Sequence, residues 1–230
     1  MSIDREAYYH ISSQLQQKNV NLVAVSKTKP IEDIEEMYQL GQRDFGENYV
    51  QEMVDKAAKL PKDIRWHFIG HLQTNKVKYI APFVSLIHGV DSLKLLTEIN
   101  KQAVKNKRSI DCLLQVHIAE EETKFGLDEA ELNLVIRQFG DLALENVRIK
   151  GLMGMASFTD DMVKVRKEFR GLKQIFDKYS RIAALSVNSD NCDLSILSMG
   201  MSSDYTIAIE EGSNIVRIGS LLFGARNYDE

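Results

Sequence analysis

Short apolar runs alternate along this chain with longer stretches in which apolar positions recur every three or four residues. The short runs have the length and composition of buried strands, and the longer ones the period of amphipathic helices. Strands are predicted over Asn21–Val25, Asp44–Gly46, Arg65–Ile69, Val84–His88, Asp111–His117, Arg148–Met155, Ile196–Ser198 and Asn214–Ile218. Helices are predicted near Ile31–Leu40, Val50–Lys59, Asn75–Ile80, Ser92–Asn106, Asp128–Phe139, Asp161–Tyr179 and Asp204–Glu210. Strand and helix in alternation build parallel βα units. Eight such strands close most simply into a (β/α)8 TIM barrel. An open doubly wound sheet is the alternative, but no G-x-G-x-x-G follows any predicted strand. Ser180–Asp193 mixes Ser, Asn and Asp with scattered apolar residues and reads as a loop before the seventh strand. With no repeat, low-complexity segment or Pro-rich linker, residues 1–230 read as a single domain.

Composition narrows this picture. A chain of 230 residues, 44% hydrophobic and 27% charged, suffices for one full core. A net charge of -4 gives no sign of a nucleic-acid or anionic-membrane surface. No apolar run is long enough to cross a bilayer, and the polar start Met1-Ser2-Ile3-Asp4-Arg5-Glu6 excludes a secretory signal. Cys112 and Cys192 make no disulfide framework and read as reduced thiols of a cytoplasmic protein.

The candidate chemistry begins at Lys27, which follows the first predicted strand and precedes Pro30 and the acidic helix start Ile31-Glu32-Asp33. Desolvating an ammonium is costly, so a lysine at a buried strand end is driven toward the neutral amine that attacks an aldehyde. The other reading is a lysine that has reached water. Functional groups of a parallel barrel gather at the carboxyl ends of its strands. There the chain places Gly46-Glu47-Asn48, Gly70-His71, Lys124-Phe125-Gly126, Gly154-Met155-Ala156-Ser157, Ser198-Met199-Gly200-Met201-Ser202-Ser203-Asp204 and Arg217-Ile218-Gly219-Ser220. Gly200 and Gly219 let backbone N–H groups approach an anion, and Ser198, Ser202 and Ser220 add hydroxyls; the same residues also suit ordinary turns and caps. Alternation along Val216-Arg217-Ile218 turns Arg217 toward the barrel mouth, where it meets either a structural partner or an acceptor nitrogen of a bound ring.

An aldehyde-trapping lysine, an anion cup and an inward arginine together suggest pyridoxal 5'-phosphate (PLP). The segments AVSKTKP around Lys27, FGENYVQE at Phe45–Glu52, WHFIGHLQTNK at Trp66–Lys76, TKFGL at Thr123–Leu127, GLMGMA at Gly151–Ala156, LSMGMSSDY at Leu197–Tyr205 and VRIGSLLFGAR at Val216–Arg226 span nearly the whole chain. In these the chain resembles the YggS/PROSC family, the PLP homeostasis proteins. The resemblance implies a barrel similar to the N-terminal domain of alanine racemase and Lys27 as the Schiff-base lysine. It further implies Ser198, Gly219 and Ser220 at the phosphate, with Met199 and Gly200 beside them. Arg217 is then near the pyridine nitrogen and Asn48 near the cofactor. The Ser180–Asp193 stretch is longer than in many members, on the amino-end side of the barrel.

Other residues carry weaker signals. His67 and His71 are separated by a strand end and a glycine, a poor metal pair. His88 and His117 read as hydrogen-bonded core or rim histidines. Met153, Met155, Met199 and Met201 read as gap-filling core. Lys29 and Lys76 fit either cofactor attraction or a solvated surface. Three functions compete: a PLP carrier without a committed reaction, a small PLP-dependent amino-acid racemase, and a barrel for another phosphorylated metabolite. The carrier is favoured because an arginine at the pyridine nitrogen weakens the ring as an electron sink. Alanine racemase also takes its second acid–base group from another domain and subunit, for which this chain has no residues left. A monomer that serves apo PLP-dependent enzymes is the expected state.

Overall fold

The computed structural model describes residues 3–120, 125–142, 144–185 and 191–224. Strands β1 (Asn21–Val25), β2 (Asp44–Glu47), β3 (Arg65–Phe68), β4 (Leu86–Val90), β5 (Ile110–Gln115), β6 (Val147–Met153), β7 (Cys192–Ser198) and β8 (Ile215–Ile218) pair in chain order, all parallel. β8 returns to β1, with Asn21 opposite Ile215 and Ala24 opposite Ile218, so the sheet closes into the expected barrel. Closure leaves no sheet edge.

Around it run α1 (Arg5–Gln17), α2 (Ile31–Gln39), α3 (Val50–Lys59), α4 (Val77–Ile80, after a 3-10 turn at Thr74–Lys76), α5 (Leu93–Lys105), α6 (Glu129–Asp141), α7 (Met162–Leu185), α8 (Tyr205–Glu210) and α9 (Ser220–Phe223). The predicted elements are present with ends shifted by a few residues. Two helices, α1 and α9, stand where the sequence reading placed none. α1 has its own signal: Asp4 caps it through Ala7 N–H at 2.9 Å, and Tyr8, Ile11 and Leu15 share its buried face.

The Ser180–Asp193 loop needs correction. α7 continues to Leu185 and β7 starts at Cys192; only residues 186–190 between them lie outside the described residues. The buried face of α7 runs on through Tyr179 and Ala183, and Ser180 Oγ donates to Leu194 O at 3.0 Å. Polar residues on the outer face concealed the period. Cys192-Asp193-Leu194-Ser195 alternates buried and exposed, the pattern of a strand with one covered face. Thr123, Lys124, Ala225 and Arg226 of the quoted segments also lie outside the described residues.

Period two sorts the barrel residues into two layers. Val23, Leu86, Leu113, Met153 and Ile215 fill the interior. Their neighbours, such as Ala24, Ile87, Cys112, Leu114, Leu152 and Val216, pack outward against the helices. That interior packing makes the barrel a solid plug below its mouth.

Between β2 and α3 this outer layer holds a buried charge cluster. Lys56 Nζ donates to Glu47 Oε1 at 2.8 Å, Glu52 Oε1 at 2.6 Å and Ser26 O at 2.7 Å. Ser26 Oγ donates to Glu47 Oε1 at 2.6 Å, and Glu52 Oε1 accepts Thr28 N–H at 2.6 Å. Burial pushes the Glu47 carboxyl up, against the pull of Lys56 and Ser26. The cluster grips the residues on both sides of Lys27. That grip is needed, because Thr28 has φ of 62°, a left-handed conformation that a β-branched residue resists.

Removing the cation strands two carboxylates. Lys56→Met is therefore expected to destabilise the fold by about 3–5 kcal/mol, whereas Glu52→Gln, at the half-exposed end, costs about 1 kcal/mol. Urea unfolding midpoints check the order; equal losses would refute it.

Candidate cofactor site

A cavity of about 360 Å³ opens at the carboxyl ends of the strands. This lies within the usual range for a small-molecule site. Its wall takes Val25, Lys27 and Lys29 from β1 and its following turn, and Asn48 and Ile69 from the ends of β2 and β3. Met155 and Phe158 follow β6, Met201, Ser202 and Ser203 follow β7, and Arg217, Gly219, Ser220 and Gly224 complete it.

Lys27 is half-buried there, in the clamped turn. Lys29 also reaches the wall, and its Nζ donates to Phe223 O at 2.7 Å. Asn48 lines the wall, and its Oδ1 is buried with no hydrogen-bond donor among the described residues. A buried polar atom left in this state calls for a ligand partner. Gly219 allows a close approach: a Cβ there would crowd Val25 O at 3.2 Å and Val25 Cβ at 3.3 Å. Its N–H donates to Ser202 Oγ at 3.3 Å, which brings the ends of β7 and β8 together in one cup of N–H and hydroxyl groups.

Arg217 is 4% exposed and points inward, as its alternation predicts. Its Nη1 donates to Ser198 Oγ at 2.6 Å and its Nη2 to Gly154 O at 3.2 Å. Burial lowers its pKa to about 10, opposed by Asp204. The guanidinium remains charged at neutral pH. The wall thus carries the amines of Lys27 and Lys29 beside the Arg217 guanidinium, and no acidic side chain lines it among the described residues.

Of the predicted site residues, the structure brings Lys27, Asn48, Arg217, Gly219 and Ser220 together on this wall, and sets Ser198, Met199 and Gly200 behind it. The Ser198 hydroxyl is fully buried and taken up by Arg217 and His88. Met199 packs in the outer core. Gly200, with φ of 96°, turns the chain so that Met201, Ser202 and Ser203 come forward instead. The four methionines divide: Met153 and Met199 are buried core, while Met155 and Met201 line the cavity.

The sequence reading missed a set of polar residues beneath the cavity. His88 Nδ1 lies 3.1 Å from Ser198 Oγ, its Nε2 3.0 Å from His67 Nδ1, and His67 Nε2 3.0 Å from Asp44 Oδ1. The signal was the alternation already used for Arg217: His67 lies between outward Trp66 and Phe68, and His88 shares the face of inward Leu86. His71, by contrast, stacks on Phe125 at 4.1 Å and pairs with Asp91, so the two histidines four apart serve different partners. A second opening of about 470 Å³ lies at the opposite, amino end, lined by α1 residues with Arg43, Asp44 and Arg65.

Comparison with known proteins agrees with this architecture. Residues 3–227 match the family model "Alanine racemase, N-terminal domain". The pyridoxal phosphate homeostasis protein of Aquifex aeolicus is 44% identical over 90% of this chain and 87% of its own. That of Escherichia coli K12 is 36% identical over 93% of this chain and 88% of its own. The structure of PipY from Synechococcus elongatus with PLP bound superposes with a TM-score of 0.84 at 35% identity, covering 95% of this chain and 99% of that one. Alanine racemase from Bartonella henselae shares the fold alone, at 18% identity and a TM-score of 0.68, with 96% of this chain matched to 59% of the enzyme. Barrel, cavity and relatives coincide, and the chain belongs to the pyridoxal phosphate homeostasis proteins.

Proposed function

We propose that this chain binds PLP through Lys27 and buffers or delivers it in the cytoplasm, with no committed reaction of its own. The observation that carries this reading is the cavity wall: an amine at the end of β1, an arginine from β8 and an N–H and hydroxyl cup share one pocket that no acidic side chain lines among the described residues. PLP supplies an aldehyde for a lysine amine, a phosphate for an anion cup and a ring nitrogen that accepts a hydrogen bond. Lys27 is the amine for the aldehyde. Ser202, Ser203, Gly219 and Ser220 hold the phosphate, with Lys29 adding charge. Arg217 donates to the ring nitrogen and, as a permanent cation, opposes its protonation. Ser198 acts behind Arg217 rather than at the phosphate.

The same wall argues against efficient turnover. Among the described residues no Asp, Glu, His, Tyr or Cys lines it to act as a second acid–base group opposite Lys27. A ring kept unprotonated is also a weak electron sink. Cys112 and Cys192 are free, buried thiols, with Cys192 pushed up to about 11 by burial, which accords with a reducing compartment. Residues 1–230 act as one cofactor-binding domain, a monomer whose partners are apo PLP-dependent enzymes.

Purified protein mixed with PLP is expected to show a visible-range Schiff-base absorbance that borohydride fixes, and Lys27→Ala is expected to lose it. A reducible adduct at full occupancy in that variant would move the linkage elsewhere. Ser202→Ala and Ser220→Ala are each expected to weaken PLP binding roughly ten- to hundredfold, because a hydrogen bond to a charged group is worth about 1.5–3 kcal/mol. Loaded protein is expected to restore an apo PLP enzyme while turning over no amino acid itself. Turnover of about 1–1000 per second would overturn the carrier reading.

A further inference from the structure

The polar residues beneath the cavity form a continuous hydrogen-bonded line through the barrel: Arg217, Ser198, His88, His67 and Asp44. Its upper end lines the cofactor cavity and its lower end the amino-end opening. Ser198 and His88 are fully buried and His67 is 7% exposed, so the hydrogen bonds must be satisfied within the line.

The two ends fix its direction. Arginine only donates and a carboxylate only accepts. Burial alone would raise the Asp44 carboxyl, but hydrogen bonds from His67 and Arg65 outweigh it and hold it at about 2. His67 Nε2 must therefore carry a proton toward Asp44. A neutral His67 then accepts at Nδ1, so His88 donates from Nε2 and accepts at Nδ1 from the Ser198 hydroxyl. Ser198 Oγ in turn accepts from Arg217. Every donor points away from the cavity. A second proton on His67 would reverse the links to His88 and Ser198. The Ser198 oxygen would then face two donors, His88 and Arg217, with neither able to accept its own proton. A second proton on His88 is opposed by its burial and by the charge of Arg217.

We infer that Asp44, His67, His88 and Ser198 are positioning residues for Arg217, a one-way hydrogen-bond chain that holds its guanidinium in the cofactor cavity. The placement of Arg217 against PLP rests on the function proposed above; the proton arrangement does not. A guanidinium without fixed acceptors swings among rotamers, and a ring nitrogen then meets water as often as a donor.

Two measurements test this. Long-range proton–nitrogen NMR on cofactor-free, histidine-labelled protein at neutral pH is expected to show His67 and His88 as neutral Nε2–H tautomers. In Ser198→Ala the His88 Nδ1 resonance is expected to shift as its donor is lost. A doubly protonated His67 or His88, or an Nδ1–H tautomer of either, overturns the inference. With PLP added, Ser198→Ala and His88→Leu are expected to shift the bound-cofactor absorbance and weaken binding roughly tenfold, the loss of one charged hydrogen bond. Ser198→Thr is expected to restore both. An unchanged spectrum and dissociation constant in both variants also overturns it. Asp44→Asn serves where His88→Leu does not fold. It is expected to alter the His67 and His88 nitrogen shifts, and unaltered shifts would refute the chain. Wild-type protein that binds no PLP would sink the proposed function and leave the tautomer result standing.

Discussion

A guanidinium with almost no exposure to water is the constraint around which this barrel is arranged. Desolvation of Arg217 is opposed by no direct ion pair in the described contacts. It is met by Ser198 Oγ, Gly154 O and the more distant charge of Asp204. Neutral acceptors keep the charge available to a ligand, where a paired carboxylate would neutralise it. The interior therefore cannot be uniformly apolar. Ser198, His88 and His67 occupy inward positions that Val, Leu and Ile take elsewhere in the same layers.

The cavity is held from two sides by different physics. On the outer side, Glu47, Glu52 and Lys56 clamp the Ser26–Thr28 turn through charge, close enough to sustain an unfavourable φ at Thr28. On the inner side, the chain below Arg217 works through directionality. The first sets where the amine stands, and the second sets which way the arginine faces. Gly219 lets the ends of β1 and β8 approach until both groups share one pocket.

Much of this was legible in the residues. Alternating periods gave the barrel, and the inward turn of Arg217 followed from its two apolar neighbours. Small polar residues after β7 look alike in sequence; only the packing shows that Ser198 is buried behind the wall, and that Gly200 turns the chain and brings Met201, Ser202 and Ser203 to it. The charge cluster had a trace in Glu52 and Lys56, four apart on α3, but such pairs are usually solvated. Burial of Lys56 comes from Glu47 and Ser26, on other elements, which no local pattern reveals. α7 was cut short because its outer face near Ser180 is polar while Tyr179 and Ala183 remain covered.

The pairing of β1 with β8 has a consequence for how the molecule comes into being. Lys27 follows the first strand, whereas Arg217, Gly219 and Ser220 come with the last. Contacts between such distant segments form late, after the loop entropy between them has been lost. A growing chain thus displays the amine long before it owns the cup. A ligand that bridges both strands binds the closed barrel alone and adds to its stability by mass action. On the function proposed above, such a ligand would be a staple across the seam of the barrel, and resistance to unfolding would rise and fall with its free concentration.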